Sequence, residues 1–303
     1  MKVFVTGVGG QLGHDVMNEL AKRGHAGVSS DIAPDYTGIQ DGSAVCDMPY
    51  VQLDITDAAA VRRVLNEVKP DAVIHCAAWT AVDAAEDEAN WPKVKAINMD
   101  GTRHIAEACK ALGCKMMYIS TDYVFNGQGT EPWQPDCPDY APLNVYGKTK
   151  LGGEIAVRAL VERCFIVRTA WAFGVNGNNF IKTMLKLGQT HKTLRVVNDQ
   201  VGTPTYTVDL ARLLVDMIET EKYGLYHATN EGGYISWADF AKEIFRQAEM
   251  NVSVIPVTTA EYGLSKAARP FNSRLDKGKL VENGFEPLPE WKDAVERYLK
   301  VLQ

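Results

Sequence analysis

Short apolar runs alternate along this chain with longer stretches whose apolar positions recur every three or four residues. Residues 2–6 (Lys-Val-Phe-Val-Thr) are too short and too apolar for an amphipathic helix and predict a buried strand. A helix is predicted from there to about residue 23, with Leu12, Val16 and Leu20 at helical spacing and Gly24 as its stop. Residues 26–30 predict a second strand, ending in Asp31. The rhythm continues with strands at 51–55, 72–78, 115–120 and 165–169, and helices at 58–68, 93–112 and 146–161. Such alternation predicts an α/β fold: a doubly wound, parallel, Rossmann-type sheet with right-handed crossovers.

Beyond residue 170 the rhythm loosens. Helices are predicted at 179–187 and 207–220, strands at 194–197 and 252–257, and a terminal helix at 291–302. Ser236-Trp237-Ala238-Asp239 reads as a capping box opening a helix to about residue 250. A smaller α/β domain, interleaved with the first, is the expectation. Residues 33–50, with Pro34, Gly38, Gly42 and Pro49, predict a surface excursion.

The first strand–helix turn carries the first chemistry. Gly7, Gly10 and Gly13 make a TGxxGxxG loop between strand and helix, with Gln11 and Leu12 inside it. A strand, glycine loop, helix, strand and then an acid, Asp31, form a dinucleotide-binding fingerprint. Glycines let the backbone approach a pyrophosphate, which sits on the N–H groups and positive dipole end of the helix. Asp31 is placed to accept hydrogen bonds from the adenosine ribose, and Asp54, beside Ile55, to meet the adenine amino group. Ala77 and Ala78 are small enough to permit close cofactor approach. Residues 1–169 are therefore assigned as the NAD(P)-binding domain, with parts of 193–229 contributing, and 170–303 as mainly substrate-binding.

Composition narrows the alternatives. A net charge of −6 without a basic stripe argues against nucleic acid as a partner, and no apolar run is long enough to span a membrane. The N-terminus enters a strand at once, with no signal-peptide pattern, so a cytoplasmic protein is expected. Six cysteines without a CxxC pair read as reduced thiols, and no histidine stands at zinc-site spacing.

A proton-transfer pair is suggested by Tyr146 and Lys150, four residues apart and hence on one helical face. An ammonium there favours the tyrosinate and lowers the phenol pKa. Tyr262 and Lys266 share that spacing but lack its company: Tyr146 follows an apolar run ending in Ser120-Thr121 and the glycine loop upstream.

Taken in order, the glycine loop, Asp54-Ile55, Ala77-Ala78, Asn98, Ser120-Thr121 and Tyr146-x-x-x-Lys150 resemble an extended short-chain dehydrogenase/reductase. The stretches from Ala77 to Glu86, Ser120 to Phe125, Pro142 to Lys150, Arg168 to Trp171, Asn198 to Thr205 and Arg269 to Leu275 are similar to the dTDP-4-dehydrorhamnose reductase family. That resemblance implies reduction of the 4-keto group of dTDP-6-deoxy-L-lyxo-4-hexulose by NADH or NADPH. It implies Tyr146 as proton donor, Lys150 as holder of the nicotinamide ribose, and Thr121 as donor to the reacting oxygen. It further implies a sugar pocket lined by Thr80, Val82, Tyr123 and Trp171, Asn98 among the substrate-side residues, either joining a proton relay or holding a structural water, and Arg269 as partner for phosphates. Some members bind Mg²⁺ through glutamates where this chain has Asp15 and Asp209, so Mg²⁺ is expected not to be required, no metal ligand is assigned, and a homodimer is left open. The rival readings are a nucleotide-sugar dehydratase or epimerase and a non-catalytic regulatory subunit like that of methionine adenosyltransferase. Dehydratases place a glutamate after the Thr-Asp pair, where this chain has Tyr123; a dead relative would have lost part of the Thr121, Tyr146 and Lys150 set.

Overall fold

Seven strands pair in parallel, and each alternates its side chains between two helical layers. The computed structural model describes residues 1–302. Its strands are β1 (Lys2–Thr6), β2 (Ala26–Asp31), β3 (Tyr50–Gln52), β4 (Ala72–His75), β5 (Lys115–Thr121), β6 (Cys164–Thr169) and β7 (Gly224–His227). They lie in the order β7-β6-β5-β4-β1-β2-β3, every neighbouring pair parallel.

Val3, Val5, Ile74, Met117, Phe165 and Val167 face one layer, built by α1 (Gln11–Lys22) and the helix Thr207–Ile218. Phe4, Val73, Met116, Tyr118 and Ile166 face the other, where Ala58–Val68, Thr102–Leu112 and Val145–Leu160 pack. With one apolar side chain per step on each face, both sides of the sheet are sealed. Caps fix the helix starts: Asp57 accepts from Ala59 and Ala60 amides at 2.9 and 3.0 Å, and Asn144 from Gly147 N at 2.8 Å.

The C-terminal part holds its own core around Phe173, Phe240, Trp291 and Tyr298. There Thr193–Val197 pairs with Ser253–Val257 in parallel, outside the main sheet. The predicted capping box at Ser236 and Asp239 is formed in both directions.

Three expectations need correction. The 33–50 stretch does run over the surface as expected, but it is pinned at two points: Val45 is buried in the core, and Tyr36 Oη meets His14 Nδ1 at 2.5 Å. Asn18 Oδ1 on α1 accepts from Val45 N at 2.9 Å, tying the stretch to the first helix. The strand expected at 51–55 is Tyr50–Gln52, and that expected at 72–78 stops at His75, so Ala77 and Ala78 follow it in irregular backbone. The helix expected at 93–112 starts at Trp91 and widens to π geometry over Ala96–Gly101. Strand β7 was not anticipated. Among the described residues, no helix is long and apolar enough to cross a membrane.

Candidate active site

A cleft of about 690 Å³ opens at the C-terminal ends of the strands, where α/β sheets place their ligands. Its first end is the glycine loop. Gly7 has φ +74°, and a Cβ there would meet Ala77 N at 2.6 Å, so the loop lies directly against the backbone after β4. Gly7 N donates to Ser30 O at 2.8 Å, and Asp31 Oδ2 accepts from Gly9 N at 2.8 Å. Gly10 is the N-cap of α1 and brings no side-chain cap, leaving the helix's first amides free for an anion. This geometry fits a dinucleotide pyrophosphate.

Gly7, Gly10, Gln11, Leu12, Gly13, Asp31, Asp54, Ile55, Ala77 and Ala78 all line the cleft. Gln11 also acts as a tie: its Oε1 accepts from Gly174 N at 2.8 Å and Asn179 Nδ2 at 3.0 Å. A residue that sequence reading missed organises this end from beneath. Buried His75 meets Thr6 Oγ1 at 2.7 Å and Thr102 Oγ1 at 3.1 Å, and Thr6 accepts from Ala77 N at 3.2 Å. Burial, reinforced by the Lys150 charge, lowers its pKa to about 3, so it works as a neutral imidazole.

At the centre, β5 delivers Thr121 and the helix Val145–Leu160 delivers Tyr146 and Lys150. Asn144 caps this helix and donates from Nδ2 to Ala268 O at 2.8 Å. Lys150 Nζ donates to Ile119 O at 2.7 Å and lies 4.1 Å from the Tyr118 ring centroid. Burial pulls the Lys150 amine down to about 7, opposed by the negative charge of Glu154. Tyr146 is raised, chiefly by burial, with Thr121 hydrogen bonding opposing and the Asp122 charge adding to the rise. Burial, not Lys150, sets the direction for the Tyr146 phenol, opposite to the lowering expected from the spacing.

At the far end, Thr80, Val82, Tyr123, Trp171 and Arg269 share the same wall space. Arg269 donates to Asp83 Oδ2 at 2.5 Å and to Tyr123 Oη at 3.4 Å, while the Tyr123 and Tyr146 rings meet edge-on at 5.5 Å. Trp171 adopts φ +51°, a strained backbone for a bulky residue, and stacks on Trp237 at 3.7 Å between centroids. Trp237 also lines the cleft. Its place just after a capping serine was legible, but not what its ring would face.

Asn98 is the exception among the expected site residues. Its Oδ1 accepts from Trp79 N at 2.8 Å, and its Nδ2 donates to Trp79 O and Thr149 Oγ1, both at 3.1 Å. It is buried and does not line the cleft. With its side-chain polar atoms engaged by protein, it clamps the backbone at Trp79 to the helix Val145–Leu160 and does not face the cleft.

Asp15 and Asp209 lie apart from the cleft chemistry. Thr207 Oγ1 donates to Asp15 Oδ2 at 2.5 Å, and Asp209 Oδ2 accepts from Arg297 at 2.7 Å and Asn230 at 2.8 Å. Among the described residues there is no group of three or more His, Cys, Asp or Glu side chains arranged to hold a metal ion.

The sequence profile of the family described as RmlD substrate binding domain matches residues 1–303. A dTDP-4-dehydrorhamnose reductase of Streptomyces griseus is 40% identical over 96% of this chain and 91% of its own length. A crystal structure of a dTDP-4-dehydrorhamnose reductase from Clostridium acetobutylicum is 42% identical, covers 100% of both chains and superposes with a TM-score of 0.89. That of a Bacillus anthracis dTDP-4-dehydrorhamnose reductase in complex with NADP is 39% identical over 99% of each chain, with a TM-score of 0.87. Similar over its whole length to these proteins, with the fold and cleft described, the chain belongs to the dTDP-4-dehydrorhamnose reductase family.

Proposed function

We propose that the protein reduces the 4-keto group of dTDP-6-deoxy-L-lyxo-4-hexulose to dTDP-L-rhamnose with NADH or NADPH, and that Tyr146 is the proton donor. The observation that carries this reading is the meeting of Thr121, Tyr146 and Lys150 in one cleft, between a glycine-loop helix terminus and an aromatic, arginine-bearing wall. A bound nicotinamide supplies the hydride that adds to C4.

The chain's own residues supply the rest. A buried phenol whose pKa is raised keeps its proton at neutral pH, as a donor to an oxygen gaining negative charge must. Thr121 gives a second hydrogen bond to that oxygen. Lys150 holds the nicotinamide ribose and, once protonated, eases departure of the Tyr146 proton. The Arg269 fork, held by Asp83, meets the nucleotide phosphates. Asp122 followed by Tyr123 leaves no glutamate for the elimination that a dehydratase performs.

The test is cofactor oxidation by purified protein given the dTDP-4-keto-6-deoxyhexose, with the product sugar identified. Tyr146→Phe keeps the ring and removes the proton, so kcat is expected to fall by ~10²-fold or more with substrate binding retained. Tyr262→Phe serves as control and is expected to leave kcat unchanged. A Tyr146→Phe enzyme within a few-fold of wild type would refute the assignment.

A further inference from the structure

The Thr121 hydroxyl has a single proton to give, and in the structure it gives it away from the cleft. Its Oγ1 accepts from Tyr123 N at 3.2 Å and donates to Asp122 Oδ1 at 2.9 Å. A donor spent on a carboxylate cannot stabilise charge on a substrate oxygen. Asp122 is only 1% exposed, lines the cleft, and has no aligned hydrogen-bond partner for its Oδ2. A buried carboxylate with one oxygen unmatched is costly, and binding a proton removes the buried charge, the larger part of that cost.

We propose that Asp122 is a positioning residue that aims the Thr121 hydroxyl. As a neutral acid it donates to Thr121 Oγ1, which then accepts from Asp122 and from Tyr123 N and is free to donate its own hydrogen bond to the reacting oxygen. As a carboxylate it accepts the Thr121 hydrogen bond and silences that contact. The hydroxyl's capacity, one proton donated and two accepted, is filled without remainder in the neutral arrangement. No proton is consumed at Asp122. The hydride and the Tyr146 proton complete the reduction, and Asp122 only exchanges hydrogen bonds. The inference rests on the reading of Thr121 as a donor to the C4 oxygen.

The groups facing Asp122 are the Tyr123 phenol on its own turn, Tyr146 from the catalytic helix, and the Ser273 hydroxyl. Arg269 approaches Tyr123 Oη and directs its charge to Asp83. Burial lifts the Asp122 acid to about 6, with Ser273 and Thr121 opposing, so its switch falls in an accessible range. Lys150, at about 7, titrates nearby and also favours the lower pH.

The experiment is the pH dependence of kcat for wild type, D122N, T121V and the double variant, with saturating NADH and dTDP-4-keto-6-deoxyhexose. Wild type is expected to lose activity with rising pH in two ionisations. In D122N the side-chain amide donates at every pH, so one ionisation disappears and the limb set by Lys150 remains. At pH 8, D122N is expected to exceed wild type by about tenfold, a fraction of what one oxyanion donor contributes. T121V, which has no hydroxyl to aim, is expected to lose the same ionisation, and D122N is expected to change nothing further in the T121V background. A D122N profile with both ionisations, or one falling below wild type at pH 8, overturns the proposal. So does a T121V profile that keeps both, a result that stands even if D122N fails to fold. Absence of wild-type turnover would overturn the reaction assignment as well, and is thereby distinguished from failure of the switch alone.

Discussion

Glu154 lies two turns beyond Tyr146 and one beyond Lys150 on the same helical face, yet it never reaches the cleft. It meets Arg168 of β6 in a pair that is 1% and 0% exposed. Arg168 grips it bidentately, Nε to Oε1 at 2.8 Å and NH2 to Oε2 at 2.7 Å, while Ser120 donates to Oε1 at 2.5 Å. The guanidinium also donates to Pro135 O and Tyr140 Oη, both at 3.0 Å, and lies 5.0 Å from the Phe125 ring centroid. The helix Val145–Leu160, the Ser120–Thr121 strand end and β6 are thus joined at one carboxylate. Glu154→Ala would leave a dry, uncompensated guanidinium, a loss of about 3–5 kcal/mol. At ~2–4 °C per kcal/mol for a chain of this size, Tm should fall by roughly 6–20 °C. Replacing both partners by Leu and Met removes both charges and should restore most of the stability. It should not restore kcat, because Ser120 and the Thr121 beside it would still lack their anchor. Scanning calorimetry and steady-state kinetics on the single and double variants check both halves. A Glu154→Ala protein within about 1 kcal/mol of wild type would refute the reasoning, as would a double variant with normal kcat.

Two further expectations follow from buried or cleft-edge acids. Asp31 lines the cleft with no cation among the four residues after it; as the proposed ribose partner it should let NADH serve at least as well as NADPH, and Asp31→Ala should shift the kcat/KM ratio toward NADPH; a strong wild-type NADPH preference would count against it. Asp15 is raised to about 7, chiefly by burial and opposed by its hydrogen bond from Thr207. Its unfolded-state value lies near 3.8, so between the two the folded state holds the extra proton and stability falls as pH rises. Asp15→Asn keeps an acceptor for Thr207 without the charge, so its Tm should exceed wild type at pH 8 and the gain should shrink by pH 5.

Most of the sheet was legible because its strands are continuous apolar runs, and burial on both faces permits little else. Strand β7 was not. Gly224–His227 is four residues long, opens on a glycine at φ +133°, and owes its extended state to pairing with β6. The second Tyr-x-x-x-Lys could be set aside from sequence, and its helix Thr259–Tyr262 in fact ends at Gly263, φ +62°, before Lys266 is reached. Lys266 instead pairs with Asp87. Asn98 was misread because the widened π turn that aims it at Trp79 has no pattern of its own in the sequence. Trp237 was legible as a first helical residue, but its partner Trp171 is set by a tertiary contact.

The proposed proton-transfer pair shows where spacing stops being informative. Four residues on a helix guarantee that Tyr146 and Lys150 share a face, and from that alone an ammonium should draw the phenol pKa down. Inside this cleft both groups lose water, and desolvation acts on them in opposite senses, raising the phenol and lowering the amine. Each is pushed toward its neutral form, so the attraction that spacing promises is weakened at its source. Lys150 then turns to the Ile119 carbonyl and the Tyr118 ring, partners that only the folded sheet provides. For a reduction this is the useful arrangement. A tyrosine that released its proton early would have nothing to give the alkoxide, whereas one held neutral by its surroundings keeps it until charge appears on the substrate oxygen.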